Sequence, residues 1–185
     1  FTMIGQHTFV SPKDYDINKY FREIYEWLTK GLGLPKNEIT FHEDAWAGGG
    51  NFGSSMEFFT RGLEVGNQVY MQYEQTPSGK KELPIKVLDM GMGHERNAWV
   101  SQGSFSVYDT VFPNTMRNLY NKTGINPDTK FMEKFMQNSS ILNIDEVDDI
   151  DQAWKTVAKN MNVDLKDLRS KVVPLSQLYS VAEHM

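Results

Sequence analysis

Cysteine is absent from this 185-residue chain, which excludes disulfides and thiolate metal sites. Histidine is scarce: His7, His42, His94 and His184 are scattered without ligand spacing, so a zinc enzyme is not expected. No run of about 18 apolar residues occurs, and no charged-then-apolar leader opens the sequence. The expectation is a soluble, cytoplasmic chain with no membrane partner. Without a secretion signal, the Asn-x-Ser/Thr triplets at Asn121 and Asn138 read as chance. A polybasic arm is missing too. The net charge of −5 is spread evenly, with 10 basic and 13 acidic residues over 1–103 and 9 and 11 over 104–185. A polynucleotide would therefore be held by a local patch or by parts outside this chain.

What is present begins with residues 87–99, VLDMGMGHERNAW, an apolar strand running into a glycine-containing turn and then a helix. Glycines let a ligand approach the backbone, and a helix N-terminus offers free N–H groups with partial positive charge, a setting for an anion. Arg96 supplies a planar guanidinium for a phosphate or a nucleobase, and Asp89 places a negative charge nearby. A substrate carrying both amine and phosphate suits that pairing. A plain strand-to-helix turn with a surface ion pair explains the same residues.

Between two expected strands lies Asp44-Ala-Trp-Ala-Gly-Gly-Gly-Asn-Phe-Gly-Ser-Ser55. It reads either as a loop that lets a ligand come close, with Trp46 as a wall, or as a flexible connection whose Trp plugs the core. It is no Walker loop, since the Gly-Lys-Ser/Thr ending is missing. In Gly66-Asn-Gln-Val-Tyr-Met-Gln-Tyr73 the period of two sets Asn67, Val69 and Met71 on one face, with Asn67 a buried amide or a ligand contact.

Element signals divide the chain into two parts, 1–103 and 104–185. Thr2–Val10 alternates as a strand. Ile17, Tyr20, Phe21, Ile24, Tyr25 and Leu28 repeat at helical spacing, with Asp16 as cap and Gly31 or Gly33 as stop. Strands are expected at Ile39–His42, Met56–Thr60, Val65–Glu74 and Leu83–Leu88, with a hairpin connection at Thr76–Gly79. Successive strands with short links predict an α+β fold, an antiparallel sheet flanked by helices, rather than a Rossmann fold. A helical appendage follows, predicted as Tyr108–Thr123, Thr129–Met136, Ile150–Met161, Leu165–Val172 and Leu175–Met185. The acidic run Asp145, Glu146, Asp148, Asp149, Asp151 is read as helix capping and solvation.

Three separated segments, Trp46 with its glycine-rich stretch, Gly66–Tyr73 and Asp89–Arg96, resemble in order and spacing the catalytic domain of the alanyl-tRNA synthetase family, a class II family, in its archaeal form. Tyr108–Pro113, the Asn143–Trp154 stretch and Leu178–His184 look like that family's passage into its helical tRNA-recognition region. The resemblance implies a partial adenylation domain over 1–103, followed by a helical region over 104–185. It further implies an ATP-dependent ligase that makes alanyl-adenylate and transfers alanine to tRNA(Ala), with ATP, Mg²⁺, L-alanine and tRNA(Ala) as partners.

By the same resemblance, Arg96 is catalytic and, with Phe1 and Gly93, binds ATP, adenine lying between Phe1 and Arg96. Trp46, Asn67, Val69, Asp89 and Gly91 surround the amino acid, Asp89 taking its ammonium. Glu64 is a candidate magnesium contact, though a surface carboxylate at a strand end is the simpler account of it. The first class II motif and the arginine-bearing front of the second are not found. From this follows the expectation of a fragment or one chain of a split enzyme, nearly inactive alone and prone to dimerise. The family's metal-binding editing residues are not found either. A synthetase-like module that binds an adenylate or nucleotide without chemistry is the alternative.

Overall fold

Runs of aromatic and β-branched residues become five strands: β1 (Met3–Val10), β2 (Ile39–Gly48), β3 (Asn51–Thr60), β4 (Leu63–Thr76) and β5 (Gly79–Gly93). They form one sheet in the order β1-β5-β4-β3-β2, antiparallel at every pairing. The computed structural model describes residues 1–142 and 147–185, which divide into two units, Phe1–Ser101 and Gln102–Met185.

One sheet face is apolar and covered by a helix. Helix α1 (Ile17–Glu26) starts at Asp16, whose side chain accepts from the Lys19 N–H, and runs into a π turn over Trp27–Gly31. It buries Tyr20 against Tyr70 and Leu88, and Ile24 and Leu28 against Phe58, Met90 and Met92. Full burial of each large side chain contributes about 1.5–3 kcal/mol, so this contact is the main stabiliser of the unit. Gln68 lies fully buried in it. Its amide donates to the Tyr20 carbonyl at 3.2 Å, and its oxygen accepts from the Tyr70 hydroxyl at 2.8 Å. A buried amide satisfied at both ends costs little.

Two irregularities shape the sheet. At the first, Phe58 pairs with Gly66 and Phe59 with Glu64, so Val65 is an extra residue in β4. At the second, Gln72 falls outside regular pairing between Met71 and Tyr73. Its carbonyl is met by the nearly buried ammonium of Lys86 at 2.9 Å, which also reaches the Glu82 carboxylate at 3.1 Å. A lysine this buried persists because these acceptors receive its charge.

In the sheet, two stretches depart from the sequence reading. The stretch 44–55 is not a loop: β2 and β3 pair along it and reverse through Gly49-Gly50, both with positive φ. Asp89–Gly93 is not a turn either. It is the last part of β5, paired with β1 throughout and with β4 as far as Met92, and helix α2 (His94–Gln102) begins directly after it.

The second unit is helical, with α3 (Val107–Val111), α4 (Pro113–Thr123), α5 (Thr129–Asn138), α6 (Ile150–Met161) and α7 (Leu165–Glu183). Its core gathers Met116, Met132, Phe135, Val157, Met161, Leu168 and Leu175. The predicted helix 108–123 is broken at Phe112, which takes φ −122 and ψ 50 because the following Pro113 disfavours the helical region there. The predicted break at Pro174 does not occur. Leu168, Val172, Leu175, Leu178, Tyr179 and Ala182 form one buried stripe on both sides of it, and that burial outweighs the roughly 3 kcal/mol an interior proline costs. Asp149 caps α6 by accepting from the Gln152 N–H, and Asp151 pairs with Arg169. Asn143, Asp145 and Glu146 of the sequence reading lie outside the described residues. Among the described residues, no helix is long and apolar enough to cross a membrane.

Candidate active site

The sheet face opposite α1 carries the residues singled out in the sequence. In antiparallel pairing, residues directly opposite share a face, as do residues two apart in one strand. One row across the sheet reads Asp44, Ser55, Val69, Asp89, His7 from β2 to β1, and the next reads His42, Glu57, Asn67, Gly91, Gly5. Asn67, Val69, Asp89 and Gly91 are thus neighbours on the two central strands. Val69 is 5% exposed and forms part of the floor. Met3 lies over Gly91, its Cε 2.7 Å from where a Cβ there would stand.

Arg96 comes to the same face from α2. Its aliphatic stem folds over Gly93, where a Cβ would lie 3.2 Å from Cγ and Cδ. The extra residue in β4 turns two carbonyls toward the helix. Arg96 Nη1 donates to the Glu64 carbonyl at 3.0 Å and to its carboxylate at 3.1 Å, and Asn97 Nδ2 donates to the Val65 carbonyl at 3.5 Å and the Gly93 carbonyl at 2.7 Å. Glu64 in turn accepts from Asn67 Nδ2 at 3.3 Å. A continuous chain of contacts, Arg96–Glu64–Asn67, therefore leads from the guanidinium to the residue opposite Gly91. The half-exposed Arg96 keeps donors in reserve for an anion.

Phe1 is fully exposed and precedes Thr2, whose backbone is fastened to the start of α2: Thr2 N donates to Glu95 Oε1 at 2.9 Å, and His94 N donates to the Thr2 carbonyl at 3.0 Å. The backbone N–H groups of Glu95 itself and of Thr2 hold the Glu95 carboxyl below the usual carboxylate range. Phe1 and Arg96 make no ring–cation contact among the described residues.

Trp46 shares the face but not the neighbourhood. It stands on edge strand β2, three strands or about 14 Å from β5, and its ring lies over Gly48. There it helps line a separate hollow of about 340 Å³ with Phe52, Gly53 and Gln75.

Sequence reasoning missed four residues here. His7 contacts Asp89, Nδ1 to Oδ1, at 2.9 Å. His42, Asp44 and Glu57 place one ligand atom each within 4.8 Å of one another, the one such group among the described residues. His42 and Asp44 alternate along β2 and Glu57 lies across from His42, a convergence that only strand register reveals. One imidazole with two carboxylates suits a first-row transition metal better than Mg²⁺.

Comparison with known proteins shows the family. The family description "tRNA synthetases class II (A)" matches residues 1–185, and the chain belongs to that family. Two archaeal relatives are both named alanine–tRNA ligase. That of Methanocella arvoryzae is 53% identical over 190 residues, covering all of this chain and 21% of the relative. That of Nitrosopumilus maritimus is 34% identical over 185 residues, with all of this chain and 21% of the relative covered. The chain thus spans about a fifth of the length of these curated relatives. Among solved structures, pyrrolysyl-tRNA synthetase from Desulfitobacterium hafniense aligns over 60% of this chain and 37% of its own, with 13% identity and a TM-score of 0.39.

Proposed function

We propose that this chain is the part of an alanine–tRNA ligase that activates alanine. The observation that carries the reading is that Asp89 and Arg96 stand over one sheet face, and that the contacts of Arg96 run through Glu64 to Asn67, a neighbour of Asp89 on the adjoining strand. The amino group of alanine pairs with the Asp89 carboxylate, Asn67 and Val69 border the space for a small side chain, and Gly91 adds room there once Met3 moves off it. Trp46 closes the amino-acid site only if its ring swings off Gly48 toward the centre of the face. The ATP phosphates are met by Arg96 beside Gly93, with the adenine near Phe1.

The carboxylate of alanine is itself the nucleophile, so no general base is required. It attacks the α-phosphorus, the α-phosphate bond to pyrophosphate breaks, and alanyl-adenylate forms. The protein's contribution is in-line positioning and dispersal of phosphate charge. Mg²⁺ is bound through one or two carboxylates together with substrate phosphates, and Glu64, beside Arg96, is the carboxylate that fits. The ion would neutralise phosphate charge there. In the whole protein, the alanyl group then passes to tRNA(Ala), with 104–185 leading toward the tRNA-recognition region. A pocket open to alanine discriminates weakly against glycine and serine, since one methylene is worth only about 1–3 kcal/mol.

Alanine-dependent ATP–pyrophosphate exchange by the whole protein tests the reading. Exchange that requires alanine supports it. Absence of exchange with ATP still bound would favour a nucleotide-binding module without chemistry.

A further inference from the structure

Asp89 does not stand alone on the open face. His7, directly across from it on edge strand β1, brings Nδ1 to 2.9 Å from Oδ1. The imidazole lies over Gly5, where a Cβ would come within 2.8 Å of Nε2, so the ring's pose depends on a position without a side chain. Around it, β1 presents Met3, Gly5 and Phe9 on this face, and β5 presents Val87, Asp89, Gly91 and Gly93. Asp89 is therefore the one charged group that the two strands set beside His7.

We propose that His7 is a positioning residue for the amino-acid subsite. This rests on the reading of Asp89 given above. A neutral imidazole has one N–H and one bare nitrogen, and the contact to a carboxylate assigns the proton to Nδ1. That N–H donates to Oδ1 and fixes the carboxylate plane, leaving Oδ2 to accept from the primary ammonium of an α-amino acid. With glycines at 5, 91 and 93 around it, few other side chains on β1 and β5 hold the carboxylate in one rotamer.

The test is pyrophosphate exchange by the whole protein, with KM and kcat resolved for alanine and ATP. His7→Ala is expected to raise the alanine KM about tenfold, the scale of one hydrogen bond to a charged group, and to leave kcat and the ATP KM within about twofold. His7→Asn, whose amide nitrogen falls near the place of Nδ1, is expected to recover most of the loss. Gly5→Ala, which pushes the ring aside, is expected to behave like His7→Ala.

An alanine KM unmoved by His7→Ala overturns the proposal, as does His7→Asn impaired as badly as His7→Ala, which would indicate packing alone. Asp89→Asn separates the two levels. If it too leaves the alanine KM unchanged, the amino-acid reading of the face fails. If it raises the KM while His7→Ala does not, only the role of His7 fails. Melting temperatures matched to the unsubstituted protein confirm that each variant folds.

Discussion

A Cβ at Gly53 would stand 1.8 Å from the carbonyl oxygen of Tyr70, closer than any side chain at that point can come. The contact sits where the pairing of β3 with β4 shifts, and its partner is backbone, which cannot swing away. Gly53→Ala is therefore expected to destabilise the sheet unit by about 3 kcal/mol or more, at the upper end of overpacking costs. Urea unfolding measures it. A change below about 1 kcal/mol would mean that the strands re-register with ease.

Asp89 and Arg96 are assigned to different ligands, so their variants should fail differently. Asp89→Ala is expected to weaken alanine binding roughly 10- to 100-fold and to leave ATP binding close to normal. Arg96→Ala should do the reverse, with an added modest loss of stability because the Glu64 carboxylate loses its partner. Calorimetric titration with each ligand reads both. Equal loss of both ligands in both variants would contradict two separate subsites.

Buried phenols set an alkaline limit. Burial pushes the Tyr70 and Tyr179 hydroxyls up to about 12, and it raises Tyr120 as well, helped by hydrogen bonds with Tyr179 and Asp109. The fold favours the protonated phenols. Their contribution is complete below pH 10, where the unfolded chain also keeps the proton, and is lost as pH rises toward and through about 12. Thermal melting from pH 8 to 12 should fall steeply above pH 10. Tyr70→Phe should lessen the alkaline loss in the sheet unit, while costing about 1–3 kcal/mol at neutral pH because Gln68 Oε1 loses its buried donor. An unchanged alkaline slope in that variant would show that Tyr70 does not carry the effect.

Local rules located most elements because their signals were local. Asp16 followed by apolar residues at helical spacing gives α1, and the alternation of Asn67, Val69 and Met71 gives the faces of β4. The glycines of Asp89–Gly93 suggested a turn, yet none there has positive φ; they keep the face of a strand flat between two neighbours. Pro174 suggested a helix end, but tertiary burial on both sides carries α7 through it. At the site, sequence spacing placed Asn67 with Val69, and only the family resemblance set Asp89 and Gly91 with them. It could not tell that β5 lies between β1 and β4, and so His7 beside Asp89 was invisible, as was the distance of Trp46 from both.

The extra residue at Val65 does not set which way β4 faces, because Phe58 pairs with Gly66 and Phe59 with Glu64 on either side of it. Delete it, and those two pairs would close into an ordinary ladder, with Asn67 and Val69 still on the open face; what would go is a buried apolar side chain beside Phe58 and the displaced backbone that Arg96 and Asn97 grip at Glu64 and Val65. Chain length between Gly62 and Gly66 thus governs the mooring of α2 to the sheet rather than the orientation of the strand.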